Sequence, residues 1–300
     1  MKPILTVAIP TYNRSSKLDI QLEWAFKAIS GNWEHCELIV SDNASTDDTT
    51  TVCDKWKEKL NNLIVFRQPS NLGSVGNVNF CITHAQGKYV WTIGDDDPID
   101  LDAITSILKI LEKNRTIGVL HLNHRCVSGI DGSVVYERFY PWKEDLYSED
   151  GKQIIEMCLQ HRQGGVMFIT ANVLNTQLAN QAIQSWEYTS KNLAVPLYIS
   201  AWIASRSGVY VTCNNFCDCV YFVSSWSKSR RTVLRLYYHD NPLTYQKMKE
   251  IGYSAEVMNQ LIRYPIISLS SFGRIKQLCK LLLISPETFF KYLKLFSKSS

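Results

Sequence analysis

No stretch of this chain approaches the roughly 18 to 20 consecutive apolar residues that span a bilayer. The longest candidate, residues 193–204, is interrupted by Pro196 and Ser200. Met1-Lys2-Pro3-Ile4 runs straight into a strand-like segment and lacks the layout of a signal peptide, so a soluble cytoplasmic protein is expected. Gly-rich phosphate loops are missing too. Neither G-x-G-x-x-G nor G-x4-G-K-[ST] follows the first strand, which argues against a dinucleotide site and a P-loop. The nine cysteines are odd in number and scattered, and read as reduced thiols. Cys213, Cys217 and Cys219 lie close together, but no second cysteine hook completes four zinc ligands, so buried strand thiols are expected. His121 and His124 read as structural histidines. With 14 Gly and 9 Pro among 300 residues, and 45% hydrophobic residues, collagen-like and wholly disordered chains are excluded. The length suits one large domain or two small ones.

The charge that is present is unevenly placed. Residues 228–300 carry 13 Lys/Arg against 4 Asp/Glu, whereas the rest of the chain is net acidic. A basic tail on an acidic body points to an anionic partner for the tail.

Residues 1–125 alternate strand and helix signals. Strands are expected at 5–9 (stopped by Pro10), 37–40, 63–66, 89–93 and 118–122, and helices at 15–30, 49–60, 74–85 and 102–113. Strands alternating with helices of ten or more residues predict a doubly wound, mainly parallel α/β sheet. The second half is more mixed. It predicts a hairpin at Asp131-Gly132, a strand at 165–169, a helix at 171–183, a helix over 193–205 kinked at Pro196, and strands at 209–212 and 220–223. Beyond 227 the chain reads as helical, with Ser285-Pro286-Glu287 a well-formed helix start.

Ligands of such sheets bind beyond the carboxyl ends of the strands. There the sequence places Pro10-Thr11-Tyr12-Asn13-Arg14, then Asp42-Asn43-Ala44-Ser45-Thr46-Asp47-Asp48, then Gly94-Asp95-Asp96-Asp97-Pro98. Three adjacent aspartates repel one another and call for a cation. Hard carboxylate oxygens suit Mg²⁺ or Mn²⁺, with water and a substrate diphosphate completing the shell. A simpler reading makes Asp97-Pro98-Ile99-Asp100 a helix N-cap, which leaves Asp95 and Asp96 unexplained. Asp42 reads either as part of a polar turn or as an acceptor for a nucleobase or ribose, and Tyr12 as core or as the wall against a base.

Taken in order, Thr6-Val7-Ala8-Ile9-Pro10-Thr11-Tyr12-Asn13-Arg14, Ser41-Asp42-Asn43-Ala44-Ser45-Thr46-Asp47, Asn71-Leu72-Gly73 and Gly87-Lys88-Tyr89-Val90 leading into Asp95-Asp96-Asp97 resemble the N-terminal half of family 2 glycosyltransferases. The resemblance covers residues 3–125 and implies the GT-A fold. It implies a catalytic domain over 1–227, with a nucleotide-sugar half (1–125) and an acceptor half (126–227), followed by a basic helical region (228–300). It also implies that Pro10, Thr11, Tyr12, Arg14, Asp42, Asn71, Gly73, Asp95 and Asp96 bind a nucleotide-sugar donor. Asp97, with Asp95, would hold Mn²⁺ or Mg²⁺, and transfer would invert the anomeric carbon. Many members carry Arg or Lys before the position of Asn77, where this chain has Gly76. The Q-x-x-R-W motif of processive synthases is absent, which implies one sugar per encounter. The later part is most like abequosyl- and rhamnosyltransferase-like members that build bacterial surface polysaccharide, so a polysaccharide or lipid-linked acceptor is implied.

Inverting transfer needs a general base. Glu187 is the first choice, with Glu144, Asp145 and Asp218 as alternatives. Phe289, Phe290, Tyr292, Leu293, Leu295 and Phe296 interleaved with Lys291, Lys294 and Lys298 suggest that the tail rests on an anionic membrane, at the inner face of the plasma membrane. The acidic body argues against nucleic acid. Two rivals remain. A sugar-phosphate nucleotidyltransferase would need a Gly-rich basic loop after the first strand, and a non-catalytic sugar or nucleotide binder would lack the base.

Overall fold

The computed structural model describes residues 2–60, 62–114, 116–221 and 229–299. Among them runs one sheet of nine strands: β1 (Leu5–Thr11), β2 (Cys36–Asp42), β3 (Leu63–Arg67), β4 (Tyr89–Thr92), β5 (Ile117–Ser128), β6 (Val134–Tyr136), β7 (Leu146–Ser148), β8 (Asn172–Asn175) and β9 (Gly208–Tyr221). The order is β3-β2-β1-β4-β8-β5-β9-β7, with β6 paired to β5 as the far arm of the expected hairpin. β3, β2, β1 and β4 are parallel, and β8 runs antiparallel between β4 and β5.

Both faces are covered, which is why the strands read as continuous apolar runs rather than alternating ones. Leu5, Val7 and Ile9 of β1 face a layer formed by α1 (Ser15–Ile29), α2 (Thr49–Lys59) and α4 (Ala103–Lys113). Ala8 and Ile39 face the opposite layer, which includes α3 (Gly73–His84), α5 (Gly151–His161), α6 (Thr176–Gln184) and α7 (Val195–Ala204).

Several expectations need correcting. β1 does not stop at Pro10 but continues to Thr11. Ala8 turns its carbonyl to β4 and Thr11 turns its carbonyl toward β2, so Pro10 faces the β4 side, where β4 has already ended at Thr92 and no donor is needed. The segment 165–169 is not a strand. It forms two 3-10 turns, because the Asn172 side-chain amide donates to the carbonyls of Val166 and Phe168 and so takes the groups a strand neighbour would use. The next helix starts at Thr176 rather than 171, where Asn175 caps it by accepting from the Leu178 N–H. Pro196 lies in the first turn of α7 and starts that helix instead of kinking it. The strands expected at 209–212 and 220–223 belong to one long β9; residues 222 and 223 lie outside the described residues.

The basic region forms α8 (Arg230–Arg235), α9 (Asn241–Glu250), α10 (Ala255–Ile267), α11 (Ser271–Ile284) and α12 (Pro286–Ser297). The boundary expected at 227/228 lies outside the described residues. α9 and α10 share the main core, with Tyr245, Met248, Met258 and Ile262 in one cluster with Tyr198, Ile199 and Trp202 of α7. Asp240, 1% exposed, ties the region down: its Oδ2 accepts from the Leu193 N–H at 3.1 Å, and Arg235 Nε donates to it at 3.2 Å. Tyr292 is buried in a smaller cluster with Leu234, Tyr238 and Leu281, flanked by Phe289 and Phe296. These three aromatic side chains therefore hold α12 onto the protein and are not an interfacial face.

His121 is buried on β5, and its Nδ1 lies 2.9 Å from Asn172 Oδ1, while its Nε2 has no partner. The Asn172 amide nitrogen is already donating, so Nδ1 carries the proton and the ring is neutral. Burial, helped by His124, pushes the imidazole down to about 3. The folded state then binds fewer protons than the unfolded chain between about pH 3 and 6.5. Its contribution is complete above that window and is lost as pH falls through it. Stability should drop by about 2 kcal/mol from this residue alone by pH 5. Urea midpoints at pH 7 and pH 5 measure the drop, and the His121→Gln variant should show a smaller fall by that amount.

Candidate functional site

The chain winds outward from β1 to β2 and β3, then returns to β4 on the other side of β1, so β1 and β4 flank a topological switch point. The loops after these two strands meet across it. The Thr11 hydroxyl donates to Asp95 Oδ2 at 2.8 Å, and Arg14 Nη1 donates to Asp95 Oδ1 at 2.7 Å. Arg14 also lies 3.1 Å from Asp96, which Lys17 of α1 pairs from the other side. Lys17 was not singled out from the sequence.

The three aspartates are therefore not equivalent. Asp95 is buried and both its oxygens are engaged, and burial raises its carboxyl against the pull of Arg14. Asp96 is half-exposed and paired with two cations. Asp97 has no cation within ion-pair distance among the described residues; its Oδ2 accepts from the Thr170 hydroxyl. Burial pushes the Asp97 carboxyl up to about 7; the Thr170 bond pulls the other way, and Asp96 and Asp95 add to the rise.

Gly94 makes this arrangement possible. A Cβ there would run into the Asp97 carboxylate, so a side chain at 94 would push that carboxylate out of its folded-back position. The Gly94 N–H donates to Thr170 Oγ1 at 2.9 Å, and Trp91 Nε1 donates to the Thr170 carbonyl at 2.8 Å. Thr170 is thus a site residue that nothing in its sequence neighbourhood signals. The helix-cap reading of Asp97 is overturned: α4 begins at Ala103, and Ile99 instead bridges to Cys217 of β9. Cys217 is buried there, and Cys213 and Cys219 are partly so; no group of three or more His, Cys, Asp or Glu among the described residues is placed to hold a metal by itself.

A second cluster lies at the end of β2. Asp42, 1% exposed, accepts from the Ser45 N–H at 2.9 Å, and Arg67 Nη1 of β3 lies 3.8 Å from its other oxygen. Asn43 Oδ1 accepts from the Leu72 N–H at 2.8 Å and its amide reaches Asn71 Oδ1 at 3.0 Å, so the Asn71-Leu72-Gly73 turn is tied to β2. Gly73 supports that turn with a φ of +74°. Asn13 and Ala44, both at positive φ, belong to loops joined to each other: the Asn13 N–H donates to Ser45 Oγ at 2.9 Å and the Thr46 N–H to Asn13 Oδ1 at 2.7 Å. Asn77 is buried and bonded to Ser41 and Thr11, and a Cβ at Gly76 would approach Leu72 Cβ to 2.9 Å. Tyr12 is exposed at the mouth of the β1 loop.

The proposed bases separate by engagement. Asp218 forms a two-point pair with Arg125 at 2.9 and 2.6 Å. Asp145 accepts from Tyr210 and the Cys213 N–H; burial raises its carboxyl, but those two bonds hold it below its usual value. Glu144 and Glu187 are exposed, with no ion pair or hydrogen bond among the described residues. Glu187 opens a 3-10 turn (Glu187–Ser190) that is held against α3, where the Asn79 amide donates to the Thr189 carbonyl at 3.0 Å.

A parallel half-sheet with acids at the switch point, completed by a mixed half, is the GT-A fold. The chain belongs to glycosyl transferase family 2, whose family model matches residues 6–175. The abequosyltransferase RfbV of Salmonella typhimurium is 33% identical over 115 residues, covering 38% of this chain and 34% of that protein. A Campylobacter jejuni GalNAc(5)-diNAcBac-PP-undecaprenol beta-1,3-glucosyltransferase is 30% identical over 137 residues, 45% of this chain and 42% of that one. The matches thus span well under half the length of these two curated relatives. Staphylococcus aureus TarS 1–349, solved in complex with UDP-GlcNAc, superposes over 100% of this chain and 81% of that one with a TM-score of 0.71 at 18% identity, a likeness of fold.

Proposed function

We propose that this protein transfers one sugar from a nucleotide-sugar donor to a polysaccharide or lipid-linked saccharide, with metal assistance and inversion of the anomeric carbon. The observation that carries this reading is the different pairing of Asp95, Asp96 and Asp97 at the switch point. Asp97 is a carboxylate raised by burial and lacking a counter-charge among the described residues, so a cation would be favoured beside it. One carboxylate with no second protein ligand among the described residues fits a magnesium-like ion whose remaining sites are filled by water and a diphosphate. Bound there, Mn²⁺ or Mg²⁺ would offset the charge that gathers on the departing nucleoside diphosphate.

The remaining work belongs to the chain. Asp95 is held by Thr11 and Arg14 and fixes the β1 loop against the β4 loop, which favours an organising role over direct metal contact. Arg14 and Lys17 put positive charge beside the acids, and Arg67 does so at Asp42; these supply the phosphate-side charge that Gly76 does not. Asp42 and Tyr12 receive the base and ribose, and Asn71 and Gly73 shape the turn beside them. Glu187 accepts the acceptor hydroxyl's proton. The lipid-linked acceptor named for the Campylobacter relative supports the acceptor class.

Calorimetry with UDP-, GDP-, dTDP- and CDP-sugars, with and without Mn²⁺, tests the donor reading. Metal should bind measurably only when a nucleoside diphosphate is present, and no affinity for any activated sugar would overturn the reading. Glu187→Gln should lower kcat by about 10² to 10⁴ with donor affinity unchanged, while Glu144→Gln changes neither. Equal losses in both variants, or none in the first, would remove Glu187 from this role.

A further inference from the structure

The tail presents an apolar stripe to solvent on a helix different from the one its aromatic-rich sequence suggests. In α11, Phe272, Ile275, Cys279, Leu282 and Leu283 are exposed, with Phe272 at 78%, Ile275 at 62% and Leu283 at 82%. They fall at i, i+3, i+7, i+10 and i+11. At 3.6 residues per turn they form one stripe about 100° wide. The opposite side of α11 is already used: Leu281 is fully buried and Leu278 and Ile284 pack in the cluster with Tyr292. Lys276 and Lys280 run along one border of the stripe and have no acidic partner among the described residues. Arg274 donates to the carbonyls of Ile267 and Leu269 and fixes the turn from α10, where Tyr264 and Ile267 add further exposed apolar surface. Residues 257–286 contain four Lys/Arg and no Asp or Glu.

We infer that the outer face of α11, led by Phe272, Ile275 and Leu283 and bordered by Lys276 and Lys280, seats on an anionic phospholipid surface. A contiguous apolar face with cations along one border and no acids in residues 257–286 matches the boundary between acyl chains and negative headgroups. The inference rests on the proposed reading only in giving a lipid-linked acceptor a place to be met, and its test reads binding, not transfer.

Co-sedimentation of the full chain with phosphatidylcholine vesicles, with and without phosphatidylglycerol, tests it. Wild type should sediment with the anionic vesicles, more strongly at low salt than at high. Phe272→Ser/Ile275→Ser/Leu283→Ser should lose at least tenfold in vesicle affinity with an unchanged circular dichroism spectrum, since all three side chains are solvent-facing. Lys276→Gln/Lys280→Gln should lose roughly fivefold per lysine and most of the salt dependence. A thiol-reactive fluorophore on Cys279 should shift to the blue on anionic vesicles. Absence of wild-type sedimentation, unchanged affinity in the triple-serine variant, or that variant turning a dimer into a monomer by light scattering would each overturn the inference. Nucleotide-sugar binding in vesicle-free buffer should be equal in wild type and the triple-serine variant, so failure of the donor reading shows up separately.

Discussion

Asp97→Asn should lower transfer by about 10³-fold, which is the several kcal/mol a metal-held leaving group contributes. It should abolish metal binding in the presence of nucleoside diphosphate and leave the fold intact. The same variant should melt at a higher temperature than wild type at pH 8 without metal. The Asp97 carboxyl is raised to about 7 in the folded protein from the ordinary carboxylate range, so the folded state holds the proton more tightly across that window. Stability therefore falls as pH rises through it, and the neutral amide removes that loss. Asparagine keeps the size of the side chain and can still meet Thr170. Loss of activity with a raised melting temperature separates a functional carboxylate from a structural one. Full activity in the variant would remove the metal assignment, and a lowered melting temperature would mean that Asp97 holds the loop together.

Arg14→Met should cost about 3 kcal/mol of stability and most of the donor affinity. Removing one partner of a buried pair leaves the other charge uncompensated, and Asp95, with 6% of its side chain exposed, has little water to fall back on. Asp96 would keep Lys17. The double variant Arg14→Met/Asp95→Asn should recover a large part of the stability, since the stranded charge is gone, but not donor affinity. The cycle distinguishes a structural pair from a binding cation. Unchanged nucleotide-sugar affinity in the single variant would show that Arg14 serves the neighbouring acids and not the donor.

Much of the N-terminal half was legible because buried parallel strands carry unbroken apolar runs and their helices carry 3.6-residue periodicity, as in 5–9 against 15–30. The second half was harder for a physical reason. Gly165-Val166-Met167-Phe168-Ile169 has strand composition, yet the Asn172 amide captures two of its carbonyls and bends it into turns. The tail misled in another way. The aromatic residues of α12 were read as a membrane face, but Tyr292 is buried and Phe289 and Phe296 pack beside it; Phe290 and Leu293 stay exposed there, and a longer exposed stripe lies on the plainer α11. Aromatic content alone does not tell which side of a helix its neighbours cover.

By itself the chain determined its family, its alternating strands and helices, and the acids waiting at two strand ends, because those signals are local in sequence. The tertiary structure decided how each acid is partnered. Arg14 reaches Asp95 across 81 residues, Lys17 reaches Asp96 across 79, and Thr170 reaches Asp97 across 73. The return of β4 beside β1 sets the first two pairs within hydrogen-bonding distance and the antiparallel pairing of β8 with β4 sets the third, and a carboxyl's charge depends on the groups within a few ångströms of it, whatever their place along the chain.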